Sequence, residues 1–171
     1  VTSGSLHGLF ADLCRRLKVR RPVRLLLSAD DVPPMAIGLF RPCVVLSRNV
    51  VERLTRDERA VVLAHELAHI RRRDIPAIWL ENLLLVTWWF NPVLWLLVRA
   101  TRRAREDCSD DLVLHSGVAD NTTYCDSLLH AAPDSACRSR AALAFATYLH
   151  PMGRRLKRIM DVTARRSPRL S

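Results

Sequence analysis

Residues 65 to 69 read His-Glu-Leu-Ala-His, and this pentad constrains the fold more than any other feature of the chain. Two imidazoles four positions apart lie on one face only if the backbone between them is helical, and there both can reach a single ion. With six histidines in 171 residues, random order would give roughly 0.006 such pentads, so accident is disfavoured. Thr55, three residues before Glu58, has the form of a capping box, in which each side chain satisfies a free backbone donor at a helix start. The pentad should therefore sit on a helix from about Arg56 to Arg72.

A metal ion that does chemistry keeps one coordination position open and takes three ligands from the protein. Downstream of His69 the chain contains two glutamates, Glu81 and Glu106. Glu81 lies inside an apolar run, whereas Glu106 falls on a predicted helix in Arg105-Glu-Asp-Cys-Ser-Asp110. Glu106 is the better third ligand, with Asp74 and Cys108 as the alternatives. Asp110 lies one turn further on the same face, where a carboxylate can accept the second ring N–H of a metal-bound histidine. These residue types suit hydrolysis: the metal lowers the pKa of a water, and Glu66 takes its proton and passes it to the leaving amine. The competing reading makes Glu106, Asp107, Asp110 and Asp111 a solvated acidic helix face.

The run from Ile75 to Val98 has Glu81 as its only charge and is long enough to span a bilayer, for which about 20 apolar residues suffice. A single crossing would strand Glu106 away from His69, yet both must come within about 2 Å of one ion. The run is therefore predicted to double back as a helical hairpin. Asn91-Pro92 marks the reversal, because proline disfavours helix in the residue before it. Trp79, Trp88, Trp89 and Trp95 can seat the hairpin at the headgroup level, and Arg71 to Arg73, Arg99, Arg102, Arg103 and Arg105 flank it as membrane-facing basic clusters do. The alternative is that both helices belong to the core.

Elsewhere, Leu6, Leu9, Phe10, Leu13 and Leu17 recur at helical spacing, and Val23 to Ser47 breaks into short apolar runs that suggest two or three strands. A further helix is expected from Val98 to Leu114, ending at Ser116-Gly117, and weaker helical patterns cover Thr122 to Ala132 and Met152 to Ala164. The whole reads as one α+β, mainly helical domain over residues 1–171. It comprises an N-terminal helix (1–20), a small N-terminal β-sheet (21–48), the metal-site helices with the apolar hairpin 75–98 (49–115), and C-terminal helices (116–171). No secretory signal peptide is read after Val1, and the chain reads as an excised piece.

Twenty-seven basic against 17 acidic residues give a formal charge of +10, which favours an anionic partner, whether nucleic acid, lipid headgroups or an acidic protein. No nucleic-acid motif accompanies that charge, so direct nucleic-acid binding is not expected. Five cysteines without CxxC spacing fit a reducing compartment. Ala36, Ile37, Gly38 and Leu39 are candidates for an exposed strand that pairs with extended substrate, Gly38 allowing close backbone approach. Tyr124, Tyr148, His150 and Arg154 could each polarise a scissile carbonyl, and no spacing rule selects among them. The tail at Arg165-Arg166-Ser167-Pro168 resembles an exposed linker.

Taken in order, PMAIGLFRPCVVLS, LAHELAHIRRRD, WWFNPVLW, the RE-x-x-x-DDLVL helix, the segment from Tyr124 to Leu129 and the closing RRLKRIMD resemble the BlaR/MecR-type antirepressor membrane metallopeptidases. These belong to the gluzincin group, which joins His-Glu-x-x-His to a later glutamate. The resemblance implies one zinc ion bound by His65, His69 and Glu106, Glu66 as general base, and Asp110 and Asp74 as residues that orient the ligands. It also implies a peptidase at the cytoplasmic face of a bacterial membrane, docked on an anionic membrane surface or on flanking transmembrane helices. The best-known members cleave a transcriptional repressor in response to beta-lactams. The 171 residues contain neither flanking membrane spans nor a penicillin-binding sensor, which leaves the inducing signal open. A reading from another class is a catalytically silent membrane- or protein-binding module that zinc merely stabilises. Structural zinc takes four protein ligands, and three stand out here.

Overall fold

The computed structural model describes residues 3–131 and 151–166. Among them the chain runs α1 (Ser3–Arg16), β1 (Arg24–Ser28), β2 (Met35–Ile37), β3 (Cys43–Ser47), α2 (Arg48–Arg53), α3 (Arg56–Arg72), α4 (Asp74–Thr87), α5 (Pro92–His115), α6 (Asn121–Ala131) and α7 (Pro151–Arg166). The expected architecture, mainly helical with a small sheet, is the one observed.

Helix α3 is buried along almost its whole length, from Ala60 to Ala68 and again at Ile70. A helix buried on every side must be covered on every side, and α1, α4, α5, α6 and the strands pack around it. Its start is fixed by the capping box: Thr55 Oγ1 accepts from the Glu58 amide at 3.3 Å, and a Glu58 carboxylate oxygen accepts from the Thr55 amide at 2.7 Å. Leu6, Phe10, Leu13 and Leu17 bring the apolar stripe of α1 into the same core, with Val44 and Leu46 of β3.

The sheet has the order β1-β3-β2. β1 runs parallel to β3, with Leu26 opposite Val45, and β2 runs antiparallel to it, with Ala36 opposite Val44. β2 is consequently an edge strand. Helix α2, capped by Ser47 through the Val50 amide, has no counterpart in the sequence expectations, since six residues are too few to display a helical period.

The apolar run does reverse at Asn91-Pro92. The Asn91 side chain accepts from the Val93 amide at 3.0 Å and Pro92 occupies the first turn of α5, a position where its missing N–H costs nothing. One expectation needs correction: the second arm of the hairpin and the helix predicted from Val98 are a single helix, α5, of 24 residues. No turn signal lies between Val93 and Ser116, so nothing interrupts it. Glu81, the only charge of the run, is held by Arg105, whose two terminal nitrogens each donate to one of its oxygens at 2.8 Å. This two-point pair ties α4 to α5 below the turn. Among the described residues, no helix is long and apolar enough to cross a membrane.

Candidate metal centre

His65 and His69 leave the same side of α3, and their Nε2 atoms stand 3.2 Å apart. Each ring is held from behind. His65 Nδ1–H donates to the Tyr124 hydroxyl at 2.9 Å, and that hydroxyl donates to Asp110 Oδ1 at 2.6 Å. His69 Nδ1–H donates to Asp74 Oδ2 at 2.8 Å, with Ser109 Oγ 3.2 Å from the same nitrogen. Asp74 reaches back because Arg73 adopts a left-handed conformation (φ 60) that ends α3 and turns the chain sharply into α4. A hydrogen fixed on Nδ1 leaves the lone pair of each ring on Nε2, facing the cleft.

Glu106 arrives from α5. Its Oε2 lies 3.5 Å from His65 Nε2 and its Oε1 lies 3.8 Å from His69 Nε2. His65, His69 and Glu106 thus each offer a ligand atom, all within 4.8 Å of one another, in a group that could hold a metal ion. The donor set supports that fit. Two nitrogens bound at about 2.0–2.1 Å to a tetrahedral ion lie about 3.3 Å apart, close to the spacing of this pair.

The electrostatics also favour a cation at this point. Burial alone would lower the pKa of His65, yet its contacts with Asp110 and Glu106 overcome that and raise it to about 9. Burial would raise Glu106, but the bond to His65 and the charge of Arg155 bring it down to about 2. Asp110, entirely buried, is likewise held well below the carboxylate range by His65 and Arg155 against the opposing effect of burial. A site that clings to a proton among carboxylates is one where a bound cation is stabilised.

The acidic stretch of α5 is not a solvated face. Helix α7 covers it: Arg155 forks onto Asp110 (Nε to Oδ2 2.9 Å, Nη2 to Oδ1 2.6 Å) and approaches Glu106 Oε2 with Nη1 at 3.1 Å. Arg158 donates to Asp111 at 2.5 Å and to the Asp107 carbonyl at 3.0 Å. The sequence reading named Arg154, but that side chain is turned outward, its nearest carboxylate being Asp107 at 3.8 Å. Arg155 was missed. It lies one turn before Ile159, which is buried in the core, and nothing in the sequence alone separates it from Arg154. Tyr124, a candidate carbonyl donor on sequence grounds, has its hydroxyl fully engaged between His65 and Asp110. Tyr148 and His150, and the linker at 167–168, lie outside the described residues. Cys108 is exposed and outside the metal-holding group.

A cleft of about 540 Å³ opens over the site, and Glu66 lines it beside both histidines. Val61, Val62, Ile75 and Ile78 form an apolar wall, and Met35 and Ala36 of β2 form the rim. Of the strand candidates, Ala36 borders the cleft and Ile37 is exposed at the end of β2, but Gly38 and Leu39 have already turned away. Gly38 has φ +93, and a Cβ there would collide with the Arg41 carbonyl oxygen. The turn into β3 therefore itself requires a glycine at this position.

A family model described as BlaR1 peptidase M56 matches residues 2–159 of the chain. The regulatory protein BlaR1 of Bacillus licheniformis is 30% identical over 114 residues, which cover 67% of this chain and 19% of that protein. The methicillin resistance mecR1 protein of Staphylococcus aureus is 29% identical over 104 residues, covering 56% of this chain and 17% of that protein. A protease HtpX homolog of Helicobacter acinonychis is 36% identical over 73 residues, covering 41% of this chain and 24% of that protein. The chain therefore spans less than a quarter of the length of each of these relatives. No solved structure matches it significantly.

Proposed function

Because the chain belongs to the BlaR1 peptidase M56 family, we propose that it is the peptidase domain of a zinc-dependent endopeptidase acting on a protein substrate at the cytoplasmic face of a membrane. The observation that carries this reading is the convergence of His65, His69 and Glu106 with both Nδ1 hydrogens held on carboxylate-backed acceptors. His65, His69 and Glu106 are the ligands, and Asp74 orients His69. Tyr124, backed by Asp110, orients His65.

Zinc bound there would supply Lewis acidity, lowering the pKa of a water and polarising a peptide carbonyl. Glu66 takes the water proton and delivers it to the leaving nitrogen. The apolar wall of Val61, Val62, Ile75 and Ile78 excludes bulk water and accepts an apolar substrate side chain. An extended peptide can add to the free edge of β2 at Met35, Ala36 and Ile37 through main-chain hydrogen bonds. The regulatory relatives make a transcriptional repressor the first candidate substrate. Chelation with 1,10-phenanthroline should abolish cleavage of a candidate repressor, and one equivalent of zinc should restore it. Cleavage that survives the chelator with no metal left on the chain would sink the zinc reading.

The hairpin supports the membrane part. Trp79, Leu83, Val86, Trp89, Phe90, Val93 and Leu96 are all exposed, and exposed apolar surface this continuous marks an interaction site. With 14 residues, α4 extends about 21 Å, short of the ~30 Å hydrocarbon core, so the hairpin enters the leaflet surface without crossing. Arg99, Arg102 and Arg103, which follow it on α5 and are exposed, face anionic headgroups. The protein should float with phosphatidylglycerol-containing liposomes at low salt and less with neutral ones. No association with either would remove membrane docking.

A further inference from the structure

Every hydrolysis of a peptide bond drives negative charge onto the carbonyl oxygen, and a donor placed beside that oxygen is among the largest contributions to rate. Among the described residues, four groups near the cleft could act. Tyr124 is excluded by its own bonds: its hydrogen is committed to Asp110 at 2.6 Å and its hydroxyl is fully buried. Arg105 directs both terminal nitrogens at Glu81 and makes no hydrogen bond or ion pair with His65, His69 or Glu106. Arg102 borders the cleft, but its exposed side chain forms no ion pair with Glu106.

Arg155 differs from all three. A guanidinium has five N–H donors in one plane, and here Nε and one Nη2 hydrogen hold Asp110, while one Nη1 hydrogen faces Glu106 Oε2 at 3.1 Å. The other Nη1 hydrogen has no acceptor among the described residues. The second Nη2 hydrogen is engaged within the site, 3.4 Å from His65 Nε2 and bonded as well to the Tyr124 side chain. One Nη1 hydrogen is thus uncommitted on a side chain that lines the cleft, locked in place by Asp110 and adjacent to two residues of the ligand group.

We propose that Arg155 donates to the scissile carbonyl oxygen as charge builds on it, an inference that rests on the peptidase reading above. As the water oxygen bonds to the carbonyl carbon, its proton passes to Glu66 and the C=O π pair moves onto the oxygen that Arg155 faces. When that pair returns, the C–N bond breaks and the Glu66 proton goes to the amine nitrogen. Positioning costs nothing at that moment, because the fork on Asp110 has already fixed the guanidinium plane.

The test compares zinc-loaded wild type, Arg155→Gln and Arg155→Lys on a quenched-fluorescent peptide that the wild type cleaves, and on the phosphinic isostere of that peptide. Arg155→Gln should lose about 10²–10³-fold in kcat with KM little changed, and its affinity for the phosphinic isostere should fall by a similar factor. Arg155→Lys retains a charge for Asp110, so it decides the matter if the glutamine variant does not fold. It should keep its zinc and its melting temperature and still lose at least about tenfold in kcat, since an ammonium cannot hold Asp110 and reach the cleft together. A folded, zinc-bound variant with kcat and isostere affinity within threefold of wild type would overturn the proposal. So would loss of zinc from Arg155→Lys, which would reduce Arg155 to a structural clamp. A wild type that cleaves no peptide, or a fully active Glu66→Gln, would instead defeat the peptidase reading itself.

Discussion

Glu66→Gln should retain one zinc ion per chain yet hydrolyse its substrate about 10²–10⁴ times more slowly than wild type, the range that general-base catalysis contributes. Glu66 follows His65 on α3 and lines the same cleft, but it is not among the three residues whose ligand atoms converge. Glutamine preserves volume and hydrogen bonding and removes only the ability to accept a proton. The loss should therefore fall on kcat, with metal content and KM unchanged. Glu66 is only 8% exposed, and a buried carboxylate is costly to desolvate, so the variant's melting temperature should not fall. Elemental analysis and steady-state kinetics on the same preparation decide the outcome. Undiminished turnover would assign the proton transfer to another group, and loss of the metal would make Glu66 a ligand.

Much of this arrangement can be read before any coordinates exist, because it is local. The pentad at residues 65 to 69 and the capping box at Thr55 and Glu58 define α3 to its termini. Asn91-Pro92 marks the turn of the hairpin, and the requirement that His69 meet a later carboxylate leads to Glu106. What cannot be read is what depends on how distant elements pack. Arg154 and Arg155 are neighbours of identical chemistry, and only the docking of α7 on α5 decides that the second enters the site. The parallel pairing of β1 with β3 leaves no trace in either strand's composition. Gly38 is ambiguous for a similar reason: a glycine that admits a backbone and a glycine that makes a turn look alike until φ is known. A surface face stays a competing reading for the acidic residues from Glu106 to Asp111, since the arginines that cover them come some fifty positions later.

Glu106→Ala should lower zinc affinity by more than the ~10–100-fold that follows loss of a ligand's hydrogen-bonding partner, and hydrolysis should disappear with the metal. The same residue should shape the pH dependence of metal binding. In the metal-free chain burial works against a charged His65, but Asp110 and Glu106 overcome it and raise its pKa to about 9. A metal must displace that proton to use the ring. Zinc affinity should therefore rise with pH, by up to about tenfold per unit, and level off only above about pH 9. In Glu106→Ala one of the two carboxylates that hold the proton is gone while the charge of Arg155 remains. The proton is then released more readily, so the weaker binding should level off at a lower pH. Isothermal titration of zinc in buffers of differing ionisation enthalpy measures both the affinity and the protons released. Affinity that is flat between pH 7 and 9 in the wild type would mean that no proton on His65 opposes the metal, and affinity undiminished in Glu106→Ala would mean that residue 106 is no ligand and that the carboxylate closing the site comes from another part of the chain.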